Sequence, residues 1–147
     1  GQGKTLVTPY HLALVMSAVN HNGILMKPYI TDRITNYEGT EVSVSEPQVY
    51  AELLSAKKAK TLRKYLREVV TNGTGTALNN QKYTAAGKTG SAEFTSAKDS
   101  HAWFAGYASK EGKEDLVVVV VVEGAGTGSA YAVPVAKAVF DVYFSEG

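Results

Sequence analysis

Ala85-Ala86-Gly87-Lys88-Thr89-Gly90-Ser91-Ala92-Glu93 is followed by His101-Ala102-Trp103-Phe104-Ala105-Gly106-Tyr107 and then by Leu116-Val117-Val118-Val119-Val120-Val121-Val122. Rich in β-branched and aromatic residues, this third of the chain reads as strands over Ala86 to Glu93, His101 to Ser109 and Asp115 to Val122. Polar connections containing Lys98-Asp99 and Glu111-Gly112-Lys113 join them, and joins this short favour antiparallel pairing. The valine run does not alternate, so both of its faces should be covered. Glu123 stops it far short of the roughly 20 apolar residues of a membrane span.

Upstream the period lengthens to that of helices. Thr8 is placed as an N-cap with Pro9 in the first helical position, and Leu12, Val15, Met16 and Val19 follow at helical spacing until Asn22-Gly23. Residues 24 to 50 carry Lys27-Pro28, Glu38-Gly39 and Glu46-Pro47 among short β-branched pieces, Ile30 to Ile34 and Glu41 to Val44, which predicts a loop-rich hairpin. Ser55 is expected to cap a second helix ending at Asn72-Gly73. Its apolar stripe is Ala59, Leu62, Leu66, Val69 and Val70, and its other face carries Lys57, Lys58, Lys60, Arg63, Lys64 and Arg67.

Downstream, after the glycine-rich Gly124 to Gly128, Pro134 opens a last helix to about Phe144 that shows only Lys137 and Asp141 as charges. That helix and the valine strand are apolar on more sides than a chain of 147 residues can cover, so both expect a partner. An open valine edge predicts self-association through that strand. The fold class is α+β: a three-stranded antiparallel piece of a larger sheet, with the terminal helix on one face and the other two helices on the other side or end.

Composition narrows the chemistry. Fifteen Lys and Arg stand against 14 Asp and Glu, a net charge of +1, which excludes a strongly basic nucleic-acid clamp and an acidic tail. With 44% hydrophobic and 20% charged residues the chain is a folded domain, and without cysteine it has no disulfide, thiol nucleophile or thiolate metal site. His11, His21 and His101 share no metal-ligand spacing. Gly87-Lys88-Thr89 lacks the upstream glycine of a phosphate loop, because position 82 is lysine, and Gly3-Lys4-Thr5 is followed by a restarting helix. Gly73-x-Gly75 and Gly124-x-Gly126 lack a third glycine and read as turns rather than dinucleotide fingerprints. The basic helix has no interleaved aromatic platform and includes Glu68, so nucleic-acid binding is not expected. Gly1-Gln2-Gly3-Lys4-Thr5 has neither an initiator Met nor a leader pattern, so the chain is expected to be part of something longer.

Lys88-Thr89-Gly90 on a strand is the one specific signal, and its surroundings strengthen it. Gly1-Gln2-Gly3, the Thr8-Pro9 helix ending Asn20-His21-Asn22-Gly23, Val69-Val70 before Gly73-Thr74-Gly75, then Lys-Thr-Gly, His101-Ala102-Trp103-Phe104 and a valine strand follow in order. In that order the whole of residues 1–147 resembles the C-terminal part of a penicillin-binding protein transpeptidase domain, most like the monofunctional (class B) members.

The resemblance implies a serine acyl-transferase that opens a D-Ala-D-Ala stem peptide of peptidoglycan and passes the acyl group to an amine on a neighbouring strand. It implies β-lactams as trapped ligands, no metal or organic cofactor, and a place on the extracytoplasmic face of a bacterial membrane, held by an N-terminal anchor not present here. Lys88 would support the proton network of the site, and the hydroxyls of Thr89 and Ser91 would hold a carboxylate. Gly90 would admit the ligand closely, and the Ser91 backbone N–H would form half of an oxyanion hole. The family's Ser-x-x-Lys nucleophile and Ser-x-Asn belong before the Gly-Gln-Gly region, and no Ser here is followed two places later by Asn. Ser55-Ala56-Lys57-Lys58 is a literal Ser-x-x-Lys, but it comes after the Thr-Pro helix and is read as a helix cap. The chain alone is therefore expected to be inactive. A serine β-lactamase or D,D-carboxypeptidase fragment would share Lys-Thr-Gly, and a non-catalytic module binding peptidoglycan or an acidic partner near Arg63 is the remaining alternative.

Overall fold

The computed structural model describes residues 5–93 and 99–145; Gly1-Gln2-Gly3 and Lys98 lie outside them. Helix α1 spans Pro9–Asn20, with the Thr8 side chain accepting from the His11 N–H at 3.1 Å, so the expected cap is formed. Its end is set by Gly23, at φ +92°, whose N–H reaches back to the Ala18 carbonyl at 2.7 Å. The next segment is two nested hairpins rather than one. Strand β1 (Ile24–Met26) pairs with β4 (Val49–Glu52), and β2 (Arg33–Thr35) pairs with β3 (Glu41–Val44). Ile30 precedes β2 and is fully exposed, so the first expected strand starts later than its β-branched residues suggest.

Helix α2 spans Ala56–Thr71. Ser55 occupies the N-cap position with extended backbone, but its side chain makes no capping hydrogen bond, which corrects the expected cap. The stripe is also narrower than the spacing implies. Ala59 and Val70 are buried, whereas Leu62 is exposed. Nor is the opposite face uniformly wet. Arg63 turns back to donate to the Val19 and Asn20 carbonyls and to Asn22 Oδ1, while Arg67 donates to the Ala85 carbonyl at 2.7 Å and to Asn79 Oδ1 at 3.0 Å. These two half-buried arginines direct their forks to backbone carbonyls and asparagine side chains, tying α2 to the end of α1 and to the sheet.

The sheet is the expected antiparallel one, in the order β5-β6-β7: β5 (Thr84–Ala92), β6 (His101–Lys110) and β7 (Lys113–Val122). After β7 a single π turn, Gly128–Ala132, leads into α3, Val133–Ser145, with Pro134 in its first turn. Alternation along the strands sorts the side chains. Ala85, Ala102, Phe104, Ala108 and Val118 join Val70, Leu78, Val133, Ala136, Phe140 and Phe144 in one core under α3. The other face of β6 and β7 is packed by α1, and α2 lies beside β5. Lys110 and Lys113, at the β6–β7 turn, donate to the carbonyls of Phe144 and Tyr143 and so satisfy the C-terminal end of α3. No helix among the described residues is long and apolar enough to cross a membrane.

Candidate functional site

Strand β5 borders β6 on one side only, so it is an edge of the sheet among the described residues. Its first half is covered, because Arg67 fastens α2 to the Ala85 carbonyl. The second half, from Lys88 to Ala92, runs on past the end of α2. Strand alternation divides this stretch between two faces. Lys88 is exposed and Thr89 is buried, Gly90 is half-buried and Ser91 is exposed again. The Lys88 ammonium folds over the strand and donates to the Thr89 carbonyl at 2.7 Å, which holds the charge at the strand rather than out in solvent.

The Thr89 hydroxyl lies 2.6 Å from that of Thr74, in the turn after α2. The glycines on either side of Thr74 account for its position. A Cβ on Gly73 would come within 2.9 Å of the Val69 carbonyl oxygen, and one on Gly75 within 3.3 Å of the same atom. Only a backbone without side chains can fold this tightly onto the last turn of α2 and still present the intervening Thr74 to β5. The Gly-Thr-Gly motif is thus a turn, as its sequence suggests, but one that places a hydroxyl at the site. The tertiary contact spans 15 residues, and no local pattern encodes it.

A second close approach comes from the far end of the chain. The Gly124 to Gly128 loop is stitched to the start of β6: Gly126 N–H donates to the Ser100 carbonyl and the Ser100 hydroxyl to the Gly126 carbonyl, each at 2.8 Å. Gly124 N–H also donates to His101 Nδ1 at 3.0 Å. The loop needs left-handed backbone at Gly124, φ +58°, and Gly126, φ +106°. It lays Gly128 directly against Gly90, so that a Cβ on Gly128 would sit 2.5 Å from the Gly90 carbonyl oxygen. The Gly128 N–H points to Ser91 Oγ at 3.4 Å. Lys88, Thr89, Gly90 and Ser91 therefore come together with Thr74 and Gly128, two residues that the strand motif alone does not reveal.

Ser55 is remote from this cluster. It starts α2, whereas Thr74 follows the other end of a 16-residue helix, a separation of roughly 24 Å along the axis. Ser55 and Lys58 are both exposed. The broad cleft of about 870 Å³ between α2 and the beginning of β5 is also separate, with Lys57, Lys60, Lys64, Thr84 and Ser109 among its walls. No group of three or more His, Cys, Asp or Glu able to hold a metal occurs among the described residues.

Two phenols are buried, Tyr107 within β6 and Tyr83 just before β5. Burial pushes Tyr107 up to about 12, with Arg63 pulling it back and Asp115 adding to the rise. Tyr83 is raised further by burial and by donating to Asp141 at 2.9 Å. Asp141 itself is lowered, chiefly by the hydrogen bond from Lys137 at 2.6 Å.

The geometry defines an α+β sheet whose edge strand carries a lysine, two hydroxyls and a glycine at one open end. Residues 1–141 match the penicillin binding protein transpeptidase domain, and the chain belongs to that family. It is 32% identical, over 99% of its length, to the peptidoglycan D,D-transpeptidase MrdA of Haemophilus influenzae, of which it spans 25%. Among solved structures, the D,D-transpeptidase domain of a peptidoglycan glycosyltransferase from Eggerthella lenta shares 33% identity at a TM-score of 0.74, over 93% of this chain and 33% of that one. Penicillin-binding protein A of M. tuberculosis, solved as an imipenem acyl-enzyme complex, shares 26% identity at a TM-score of 0.80, over 98% of this chain and 32% of that one. The chain thus spans between a quarter and a third of these relatives, all of which are longer.

Proposed function

We propose that this chain is the C-terminal part of one transpeptidase domain and supplies the substrate-orienting wall of a serine acyl-transferase that cross-links peptidoglycan. The observation that carries this reading is the open end of β5, where Lys88, Thr89, Gly90 and Ser91 meet Thr74 and Gly128. A D-Ala-D-Ala stem peptide and a β-lactam share a carboxylate beside a reactive carbonyl. The Thr89 and Ser91 hydroxyls donate to that carboxylate, and Lys88 adds positive field and takes part in proton transfer at the nucleophile. Ser91 contributes its backbone N–H to the oxyanion hole, where stabilisation grows as charge develops. The nucleophilic serine and its lysine lie on a preceding segment that also carries the membrane anchor, so the enzyme works at the extracytoplasmic face. The naming of relatives as D,D-transpeptidases, and the imipenem adduct of one of them, support this assignment.

The test is labelling with a fluorescent penicillin, followed by intact mass, on the full-length gene product and on this chain alone. A single adduct on the former and none on the latter is the expected result. An adduct on Ser55 of the isolated chain would refute the order of elements. In the full-length protein, Thr89→Val should slow acylation by about tenfold or more through loss of a hydrogen bond to a charged ligand. Lys88→Ala should slow it further, because the charge also biases the proton network.

A further inference from the structure

We infer that Thr74 is a positioning residue for this site: its hydroxyl donates to the Thr89 hydroxyl and so turns the one proton of Thr89 toward the carboxylate of the ligand. This rests on the assignment of Thr89 as a carboxylate donor given above. The two oxygens are 2.6 Å apart, and each hydroxyl has a single proton to give. If Thr89 donates to Thr74, its proton is spent and it turns lone pairs toward an anion, which repels it. If Thr74 donates to Thr89, the chain of protons runs Thr74 to Thr89 to carboxylate, and each bond polarises the next. Only the second arrangement suits a carboxylate ligand, and an arriving anion selects it.

The setting makes Thr74 the natural orienter. Thr89 is 8% exposed, so its hydroxyl has little access to water that could replace the Thr74 bond. Thr74 is itself exposed, and its position is fixed from below by Gly73 and Gly75 folded against Val69. Replacing it by valine keeps the shape of the side chain and empties no core space. The end of α2 thereby acts on the ligand without touching the reacting atoms.

The experiment compares second-order acylation by benzylpenicillin and by its methyl ester, which lacks the anionic carboxylate, in the full-length gene product. Thr74→Val should lower the rate with the acid by roughly three- to tenfold, the value of one ordinary hydrogen bond, and leave the ester rate unchanged. Thr74→Ser should restore the acid rate, and Thr74→Val should add nothing to Thr89→Val. The ratio of the two rates is taken on one sample, so a smaller folded fraction lowers both and does not alter it. Equal losses on acid and ester would make Thr74 merely structural and overturn the inference, as would wild-type rates in Thr74→Val. A wild-type protein unreactive with either compound would overturn the proposed function and this inference together, whereas a reactive wild type with an unchanged ratio in Thr74→Val overturns this inference alone.

Discussion

Gly128→Ala tests the packing that shapes the open end of β5. A methyl group there would lie 2.5 Å from the Gly90 carbonyl oxygen and 2.9 Å from the Gly90 nitrogen, and closer still to the Trp103 carbonyl oxygen. Ordinary contact begins at 3.4 Å, and all three neighbours are backbone atoms of β5 and β6 that cannot rotate away. Relief requires the π turn to lift, or β5 to shift, by roughly 1 Å, and overpacking of this kind costs about 1–3 kcal/mol. For a domain of this size that lowers the melting temperature by roughly 2–12 °C. Because Gly90 sits between Thr89 and Ser91, a shift of that size should also slow β-lactam acylation of the full-length protein by about two orders of magnitude. Gly39→Ala is the control. Gly39 has φ +82° and nothing within 4 Å of an added Cβ, so the substitution forces a left-handed residue at about 1–2 kcal/mol without touching β5. Calorimetric melts beside stopped-flow acylation decide the matter: Gly39→Ala should lose stability and keep its rate, and Gly128→Ala should lose both. A Gly128→Ala protein that melts and reacts like wild type would refute the account.

Three further outcomes follow from the packing. Arg67→Met keeps the stem but removes the donors to Ala85 and Asn79, so it should destabilise by about 1–3 kcal/mol in denaturant melts; a neutral result would mean that α2 is held by its apolar contacts alone. Tyr83 and Tyr107 titrate above their unfolded value near 10, so the native state keeps protons that the unfolded chain loses, and their contribution is complete below pH 10 and falls as pH rises from there to about 12 for Tyr107. Tyr107→Phe should therefore flatten the fall in melting temperature above pH 10, and an unchanged slope would contradict the burial of that phenol. Finally, the chain exposes 9675 Å², against roughly 7,300 Å² for a compact monomer of its length, so sedimentation should show concentration-dependent self-association of the isolated chain, and a strict monomer at high concentration would disprove it.

Much of this architecture was legible because it is written in local patterns. The Thr8-Pro9 start and Gly23 stop of α1 need only capping chemistry, and β6 and β7 announce themselves by aromatic and valine runs, whereas β5 is rich in alanine and glycine. What local pattern misreads is the use of long polar side chains. Arg63 and Arg67 count as solvent-facing by periodicity, yet backbone carbonyls left over at the end of α1 and on β5 draw them inward. Leu62 counts as core by the same periodicity and is exposed, because α2 lies beside β5 rather than across the sheet. The strand residues of the candidate site stand in the Lys-Thr-Gly motif itself, whereas Thr74 and Gly128 reach them only through tertiary folding. Their one advance sign is the nearby glycines, on both sides of Thr74 and upstream of Gly128, which read as turns and say nothing of what the turns approach.

The alternation of β5 also constrains how any ligand can use the motif. Lys88 lies on the face that α1 packs, in register with Ala105, while Thr89 and Ser91 lie on the face of Phe104 and the α3 core. A ligand lying flat on either face would meet the lysine or the hydroxyls, never both. Only one lying alongside the edge, antiparallel or parallel to β5, reaches both sets at once. Such a ligand also lies along main-chain hydrogen-bonding groups, so an extended peptide with a terminal carboxylate satisfies the strand and the hydroxyls together. A Cβ on Gly90, the residue between them, would turn to the face of its partner Trp103, 3.3 Å from the Trp103 Cβ, and Gly128 packs against the Gly90 backbone. Among the described residues β5 is thus backed by β6, packed at Gly90 by Gly128, and bordered by no further strand on its other side.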